Sequence, residues 1–364
     1  MKYMDEFRDP RAAQHLAESI RAQANGRTMR LMEVCGTHTM AVARYGLKGL
    51  LPPEVHLVSG PGCPVCVTPN GYIDHAVALC RLEGVTVATF GDMMRVPGSR
   101  TSLEQERAEG RDVRVVYSPL DGLRLASEHP ERKVVFLGIG FETTIPGVAA
   151  SILEADRSGL PNFFVLSAHK VMPPAMGALA GDPEIEVDGF LCPGHVSVII
   201  GAEAYRFIAE DYGIPCVVAG FEPLDVLRAV ELLAAQVAQD RAEVEIQYRR
   251  AVRPEGNRKA RALVEQVFEP SDANWRGIGI IEGSGLKIRE RFRRFDAAVM
   301  LDVTVEPAVE PKGCICGAVL KGTRTPGDCG LFGKRCTPEH PIGACMVSSE
   351  GTCAAWFRYG ADGD

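Results

Sequence analysis

The stretch KVVFLGIGFETT, residues 133–144, joins a continuous apolar run to a glycine-containing turn and two threonines. Runs of this kind, rich in β-branched residues, are typical of strands in parallel sheets whose two faces are both covered. Similar runs recur along the chain, separated by stretches of helical character: RLMEV, VHLVSG, VTVATFG and VRVVYS before it, and FFVLSAH, DGFLCPG and PCVVAG after it. The chain is therefore predicted to be an α/β protein with parallel sheets.

The two groups of strands also match each other in sequence. MEVCGTHT at 32–39 aligns with LGIGFETT at 137–144, and the Pro-Leu-Asp at 119–121 aligns with a second one at 223–225 at nearly the same offset. This match predicts an internal duplication that yields two similar Rossmann-like, parallel-sheet domains. Chance similarity between two strand-rich segments is the alternative.

Four segments follow from this pattern. Residues 1–29 are expected to form a helical segment that packs on the C-terminal part of the chain. The two α/β domains are expected at 30–125 and 126–225. From 226 onward the sequence changes to a long helical pattern and then to a loop-dominated tail, so 226–364 is expected to form a helical, loop-rich and cysteine-rich domain.

Composition limits the classes of function. The chain has 364 residues and a net charge of −7, which argues against a general nucleic-acid binder. The basic run KIRERFRRF is interpreted as a solvated helix face or a protein-docking patch. No stretch approaches the about 18 continuous apolar residues of a membrane span, and the first residues lack the apolar core of a signal peptide. We expect a cytoplasmic protein that binds neither nucleic acid nor membrane.

Cysteine content is high, with twelve in the chain. In a reducing compartment this indicates metal ligation or redox chemistry rather than structural disulfides. A loop-dominated tail needs an internal staple to be ordered. Zinc sites favour paired Cys-x-x-Cys knuckles, which the tail lacks, whereas an iron–sulfur cluster tolerates wider spacing. A cluster is therefore favoured over zinc and over unrelated free thiols, and six cysteines are available: Cys314, Cys316, Cys329, Cys336, Cys345 and Cys353.

Functional groups of parallel sheets lie beyond the carboxyl ends of the strands. This rule selects CGTH, GPGCPVC, GFETT, SAHKVMPP and CPGHV, and it predicts a cleft between two similar domains. Cys35, in CGTH, is a candidate site residue, because a position at a strand-to-helix turn lowers the pKa of a thiol. The alternative is a buried cysteine that acts as a small apolar residue. His38 either hydrogen-bonds a bound ligand or is satisfied by the loop backbone.

Cys63 and Cys66 have the spacing of a thioredoxin pair, but they lie in a longer loop that is rich in proline. Zinc would need two more ligands, and the nearest cysteine, Cys80, lies in an apolar helical pattern where core packing is expected. The pair is therefore interpreted as a dithiol that cycles with a disulfide, or that supplies electrons, at the cleft facing Cys35. Cys192 and Cys216 lie in or beside strands and are interpreted as core residues.

Glu142 in GFETT and His195 in CPGHV are candidate cleft-lining residues. Glu142 can bind a cation or a partner's amine. Alternatively, GFETT caps the following helix through its threonines and has no catalytic role. His169 and Lys170 come from the same half of the chain and are further candidates for the cleft.

Five motifs occur in order along essentially the whole chain: EVCGTHT, SGPGCPVCVTP, GFETT, CPGHV and a tail that runs from CICG to GACMVSSEGTCAAW. Together they resemble the HypD family of hydrogenase maturation factors. The resemblance implies two related α/β domains and a third that carries a [4Fe-4S] cluster. It also implies a scaffold for assembly of the Fe(CN)2(CO) unit of [NiFe]-hydrogenase, which works with a small HypC-type chaperone and accepts cyanide from a HypE-type partner.

The resemblance also implies roles for individual residues. Cys35 matches the residue that holds the iron under assembly, with its CN and CO ligands, together with a cysteine of the HypC-type partner. Cys316 and Cys345 match a redox-active pair similar to the site of ferredoxin:thioredoxin reductase. The expected cluster ligands are Cys314, Cys329, Cys336 and Cys353.

Three functions are compatible with these residues. The first is a metal-centre assembly scaffold with redox-active thiols rather than a simple turnover enzyme, whose catalytic candidates are Cys35, His38, Cys63, Cys66, Glu142 and His195. The second is a cluster-dependent protein disulfide reductase that resembles ferredoxin:thioredoxin reductase. The third is an interaction protein stapled by zinc.

Overall fold

The computed structural model describes residues 5–360. Its strands are β1 Met29–Glu33, β2 Val55–Ser59, β3 Val85–Thr89, β4 Val113–Val115, β5 Lys133–Gly138, β6 Phe163–Ser167, β7 Gly189–Pro193, β8 Cys216–Ala219, β9 Val244–Ile246, β10 Phe268–Trp275 and β11 Gly279–Ile288.

The α-helices are α1 Pro10–Ala24, α2 Gly36–Arg44, α3 Pro64–Val67, α4 Asn70–Cys80, α5 Leu103–Ala108, α6 Pro119–Glu128, α7 Ile145–Arg157, α8 Met172–Ala180, α9 Gly194–Ile200, α10 Arg206–Tyr212, α11 Pro223–Ala238, α12 Arg258–Val267, α13 Ala297–Met300, α14 Cys316–Leu320 and α15 Thr352–Tyr359. Short 3₁₀ turns lie at Asp5–Phe7, Leu47–Leu50, Gly91–Arg95, Ala202–Tyr205, Glu290–Phe295, Pro326–Asp328 and Ala344–Met346.

Two parallel sheets form the body of the molecule. The first has the strand order β2-β1-β7-β8-β9 and the second has the order β4-β3-β5-β6. In the first sheet, Glu33 at the end of β1 lies opposite Ser59 at the end of β2. The predicted α/β class with parallel sheets is confirmed, because the apolar runs form strands that are covered by helices.

The sequence predicted a boundary between two α/β domains at residue 125. The two sheets do not divide the chain there. The first sheet combines β1 and β2 with β7, β8 and β9. The second sheet consists of β3, β4, β5 and β6, which lie between β2 and β7 in the chain. Each sheet therefore takes strands from both predicted segments, 30–125 and 126–225. The local sequence specifies strands and turns, but which strands pair is decided by tertiary packing.

Both sheets arrange four of their strands in the same order. If the strands of each sheet are numbered by their place in the chain, the spatial order in both sheets is second, first, third, fourth. Strand β1 of the first sheet therefore corresponds to β3 of the second, and β7 corresponds to β5. The predicted alignment of MEVCGTHT with LGIGFETT matched β1 with β5 instead. The predicted alignment therefore matched two strands that hold different positions in their sheets.

The long helix α11 packs on the first sheet rather than in a separate C-terminal unit. Leu227 and Leu233 share a buried cluster with Leu31 of β1 and Leu191 of β7. Helix α1 packs across α11, and Arg8 forms an ion pair with Glu222 just before α11 begins. The predicted N-terminal helix is thus attached to the first sheet. Residues 1–4 of that predicted segment lie outside the described residues.

The rest of the C-terminal part combines a hairpin with a loop-dominated tail. Strands β10 and β11 pair antiparallel, with an irregularity between Ser271 and Ala273. Between residues 302 and 360 the tail contains two short α-helices, and the second of them, α15, packs against α2. This contact brings the tail to the helix that follows Cys35. No helix within residues 5–360 has both the length and the apolar character needed to cross a bilayer.

Candidate functional site

Cys35 lies between β1 and α2, close to some of the residues that were predicted to line the cleft. It is the N-cap residue of α2, in an extended conformation. The loop of Cys63 is pressed against it: the N–H of Gly36 donates to the carbonyl of Gly62 at 2.9 Å. A Cβ atom on Gly62 would lie 2.3–2.5 Å from backbone atoms of Cys35. Only glycine allows the two loops to approach this closely.

Glu350 is a site residue that the sequence interpretation missed. The Thr37 hydroxyl donates to Oε1 of Glu350 at 2.6 Å. A Cβ atom on Gly36 would lie 2.6 Å from Cβ of Glu350 and 3.3 Å from Cβ of Cys63. The carboxylate therefore lies beside both the Cys35 loop and the Cys63 loop. Its sequence signal was weak, a single acid in SSEG between two tail cysteines.

The Cys35 thiol does not have the lowered pKa that was expected from its turn. Burial, and then the Glu350 carboxylate, raise its pKa to about 12. The backbone N–H groups of His38 and Thr37 and the Thr37 hydroxyl act in the opposite direction. The helix N-terminus thus stabilises a thiolate as predicted, but desolvation has the larger effect.

His38 is buried and neutral near pH 7. Burial lowers the pKa of its imidazole to about 4. Its Nε2 lies 3.0 Å from the carbonyl oxygen of Gly220, so Nε2 carries the proton and donates it. Nδ1 is then a buried acceptor with no protein partner among the described residues. The structure thus supports both readings of His38: the backbone satisfies one nitrogen, and the other is available.

His195 joins the same group through an aromatic stack. Its ring lies 3.9 Å from that of Phe221, centroid to centroid, and the His38 ring lies 5.0 Å from the same phenyl. His195 is exposed, unlike His38. Burial of part of the ring lowers the pKa of His195, and the Glu350 carboxylate opposes the effect. His195 therefore lies at the open side of the group.

A line of buried thiols leads from the Cys63 loop into the tail. The N–H of Cys66 lies 3.4 Å from Sγ of Cys63, the N-cap residue of α3. The Cys66 thiol interacts with Cys345, whose Sγ lies 2.9 Å from Sγ of Cys316. Burial raises the pKa of Cys66. Two cysteine pairs that are remote in sequence are thus neighbours in space.

The six tail cysteines line one small cavity. Apolar side chains complete its wall, among them Leu331, Phe332 and Met346. Burial and the neighbouring thiols raise the pKa of Cys353, and those neighbours include Cys314, Cys329 and Cys336. Across the described residues, no group of three or more His, Cys, Asp or Glu side chains is arranged to hold a single metal ion.

Glu142 belongs to a different cavity. Its Oε1 accepts from the N–H of Met172, the first residue of α8, at 2.8 Å. Thr144 precedes α7 without a side-chain capping bond. GFETT therefore does not cap the following helix through its threonines, and Glu142 caps α8 instead. The carboxylate lines a largely apolar cavity of about 470 Å³, and none of the residues around Cys35 described above lines that cavity.

The remaining cysteines and basic residues are buried in the body of the molecule. Cys80, Cys192 and Cys216 are core residues, as predicted. His169 and Lys170 are buried at the carboxyl end of β6. Burial lowers the pKa of His169 to about 3, so its imidazole is neutral near pH 7.

The sequence matches a family model described as HypD, hydrogenase formation hypA family, over residues 11–360. A hydrogenase maturation factor HypD of Azotobacter vinelandii is 50% identical over 368 residues, which cover 99% of this chain and 97% of that protein. The HypD of Escherichia coli K12 is 45% identical over 366 residues, which cover 99% of this chain and 98% of that protein. The HypD of Cupriavidus necator is 48% identical, with 99% of this chain and 97% of that protein covered. With a family model matched over nearly its full length and relatives this similar, the chain belongs to the HypD family of hydrogenase maturation factors.

Proposed function

We propose that this protein is a redox-active scaffold on which the Fe(CN)2(CO) unit of [NiFe]-hydrogenase is assembled. Iron is the cargo, held on Cys35 together with a cysteine of a HypC-type chaperone, and cyanide comes from a HypE-type partner. The observation that carries the proposal is the line of thiols that connects the tail to the loop beside Cys35.

Iron binding at Cys35 requires loss of the thiol proton, because the thiolate is the ligand. The N–H groups of Thr37 and His38 would stabilise the thiolate that forms. The high pKa of Cys35 keeps the thiol protonated until a metal competes for the sulfur. A soft thiolate suits iron that bears strong-field ligands. The metal-free site would therefore resist oxidation and alkylation at neutral pH.

His38 would accept a hydrogen bond or a proton at the site. Nε2–H donates to Gly220, which fixes the tautomer and leaves the Nδ1 lone pair unused. The low pKa keeps this nitrogen unprotonated near pH 7. Exposed His195 and the Glu350 carboxylate supply further polar groups at the same place, where the two partner proteins would dock.

Thiol–disulfide exchange between the two pairs follows from their order in space. The Cys345 thiolate attacks Sγ of Cys66 in a Cys63–Cys66 disulfide, which breaks that bond and leaves Cys63 to take up the proton. Cys316 then attacks Cys345 in the mixed disulfide and releases Cys66. The result is a Cys316–Cys345 disulfide and a reduced Cys63/Cys66 pair, and two electrons have moved toward Cys35.

A [4Fe-4S] cluster fits the donor set of the tail cavity. Cys314, Cys329, Cys336 and Cys353 would hold it, because all four thiols line the same apolar space and none is in a disulfide. A cluster of this type supplies electrons one at a time when bound. The chain's own contribution is the Cys316/Cys345 pair, which also lines that cavity.

The test is an anaerobic preparation from a maturation-competent host, with the HypC-type partner present. Iron and sulfide should be found, and infrared spectra should show CO and CN stretches that the Cys35→Ala variant lacks. Absence of those stretches from the wild-type complex overturns the scaffold proposal. Zinc without iron or sulfide would instead support a zinc-stapled interaction protein.

A cluster-dependent disulfide reductase is the second candidate, favoured by the 2.9 Å separation of Cys316 and Cys345. It shares the thiols of the tail but does not need Cys35. Reduction of a protein disulfide that survives in Cys35→Ala, in a host where hydrogenase maturation also survives, would favour the reductase. Loss of maturation with retained thiol exchange would favour the scaffold.

A further inference from the structure

Arg276 and Lys170 are buried cations without a counter-ion in the protein. Each is 3% exposed. Nε of Arg276 and Nζ of Lys170 donate to main-chain carbonyl oxygens, those of Thr68 and Ala168, and Nη2 of Arg276 is buried without a partner. Within the described part of the chain, neither forms an ion pair with a carboxylate. An uncompensated buried charge is costly, so two such cations favour the binding of an anion near them.

Arg276 lies between the two thiol segments. Its backbone N–H donates to the carbonyl of Val67 at 2.8 Å, and its Nε donates to that of Thr68 at 2.7 Å. These carbonyls end α3, the helix that carries Cys66. On the other side, Gly277 touches the tail: a Cβ atom there would lie 2.3 Å from Cα of Gly317. The guanidinium is thereby held at the junction of the Cys66 helix and the Cys316 helix.

Lys170 lies near Trp275. Its Nζ is 5.8 Å from the centroid of that indole ring, which precedes Arg276 in the chain. Burial, and then the Arg276 charge, lower the pKa of Lys170 to about 8. Lys170 is therefore still mostly protonated at pH 7. The two cations repel each other, and an anion close to both would offset that repulsion.

Arg276 is joined to the tail cysteines through its chain neighbour, because Gly277 meets Gly317, the residue after Cys316. Since Cys316 lines the cysteine cavity, Arg276 lies beside the wall of the site that the tail thiols form.

We propose that Arg276, together with Lys170, balances the negative charge of an iron–sulfur cluster held by the tail cysteines and sets its reduction potential. This inference rests on the proposed function, which includes the cluster. On reduction, one electron passes to the cluster from a one-electron donor, which is oxidised, and no bond forms or breaks. A nearby positive charge stabilises the more negative, reduced state, so Arg276 raises the potential.

The test compares reduction potentials in the full, cluster-loaded chain. Wild type and Arg276→Gln, Arg276→Lys and Lys170→Gln variants are purified anaerobically and titrated with dithionite at pH 7, with the reduced cluster followed by electron paramagnetic resonance. We expect a more negative midpoint in Arg276→Gln, a smaller shift of the same sign in Lys170→Gln, and recovery toward wild type in Arg276→Lys. Arg324→Gln, which removes an exposed cation from the tail, is the control and should not shift.

The outcomes separate this inference from the proposed function. Iron and sulfide in the wild type, with unchanged midpoints in both charge-removing variants, overturn the role of the two cations and leave the scaffold proposal intact. A wild-type protein without iron and sulfide overturns the cluster, and the role of the cations fails with it. If Arg276→Gln does not hold a cluster, Lys170→Gln decides, because it leaves the Val67 and Thr68 contacts in place; an unshifted midpoint there overturns the inference.

Discussion

The Thr37 hydroxyl donates a 2.6 Å hydrogen bond to Glu350, a residue 313 positions away in the chain. This bond attaches the cysteine-rich tail to the first turn of the helix that follows Cys35. Lys48 lies 5.3 Å from the ring centroid of Trp356, which gives a second contact between the same two parts. The tail thus holds six thiols and also supplies a carboxylate to the Cys35 site.

Removing the charge of Glu350 should make Cys35 more reactive. Glu350→Gln keeps an oxygen that accepts from Thr37 but removes the carboxylate that raises the pKa of Cys35. Because the thiolate is the reactive species, the rate of Cys35 alkylation at pH 8 should rise by about three- to tenfold, the change that half to one pKa unit produces. Alkylation of the metal-free, reduced protein is measured by peptide mass spectrometry.

Glu282→Gln is the matched control for that experiment, since it makes the same substitution at an exposed residue. It should leave the rate of Cys35 alkylation unchanged. A slower or unchanged rate in Glu350→Gln would show that the carboxylate does not control the thiol.

Gly62 should tolerate no side chain. In Gly62→Ala the new Cβ would overlap the backbone of Cys35, and overpacking of this kind lowers the free energy of unfolding by about 1–3 kcal/mol. Displacement of the Cys35 loop should also expose the thiol to alkylation. Urea unfolding under reducing, anaerobic conditions measures the first effect.

Gly147 provides the comparison, because it lies within α7 and a Cβ there would be 3.7 Å from Pro119. Gly147→Ala should raise stability by about 0.5–1 kcal/mol, the usual gain for alanine over glycine in a helix. Equal effects of the two substitutions would contradict the close approach of the two loops.

Mild oxidation of the cluster-free protein should form the Cys316–Cys345 disulfide first, because these sulfurs are 2.9 Å apart. In Cys316→Ser the remaining partner of Cys345 is Cys66, so a Cys66–Cys345 disulfide should become the main product. Non-reducing peptide maps identify both bonds. Cys329→Ser, which removes a thiol from the same cavity, should leave the first product unchanged. Random pairing among the tail cysteines would argue against the ordered line of thiols.

The sequence predicted the thiol loops better than the arrangement of the sheets. Strands β1 and β2 are parallel neighbours, so the rule that loops meet beyond the carboxyl ends of strands placed Cys35 beside Cys63. The same rule does not predict which strands share a sheet, because buried parallel strands have similar apolar sequences. The order of the strands in the two sheets is known only from the structure.

The contribution of the tail to the site was not predictable for a different reason. The segment around Glu350 has no helical or strand periodicity, and its position depends on side-chain contacts such as Thr37–Glu350. The same holds for Cys345 beside Cys66. The pKa of Cys35 was predicted with the wrong sign because the helix N-terminus is visible in sequence, whereas the depth of burial is not.

Glu142 should make stability depend on pH. Burial raises the pKa of its carboxyl from 4.5 to about 7, so the folded state favours the protonated acid. Its contribution is fully present below about pH 4.5 and is lost as pH rises through 7, by at most about 3 kcal/mol. Glu142→Gln keeps an acceptor for the Met172 N–H and removes the titration. Urea unfolding at pH 5 and pH 8 should therefore show a flatter pH dependence of stability for the variant, and greater stability than wild type at pH 8.

Glu203→Gln is the control, because Glu203 is exposed and lines the same cavity. Its stability should depend on pH as that of the wild type does. A Glu142→Gln curve parallel to wild type would mean that another group causes the pH dependence.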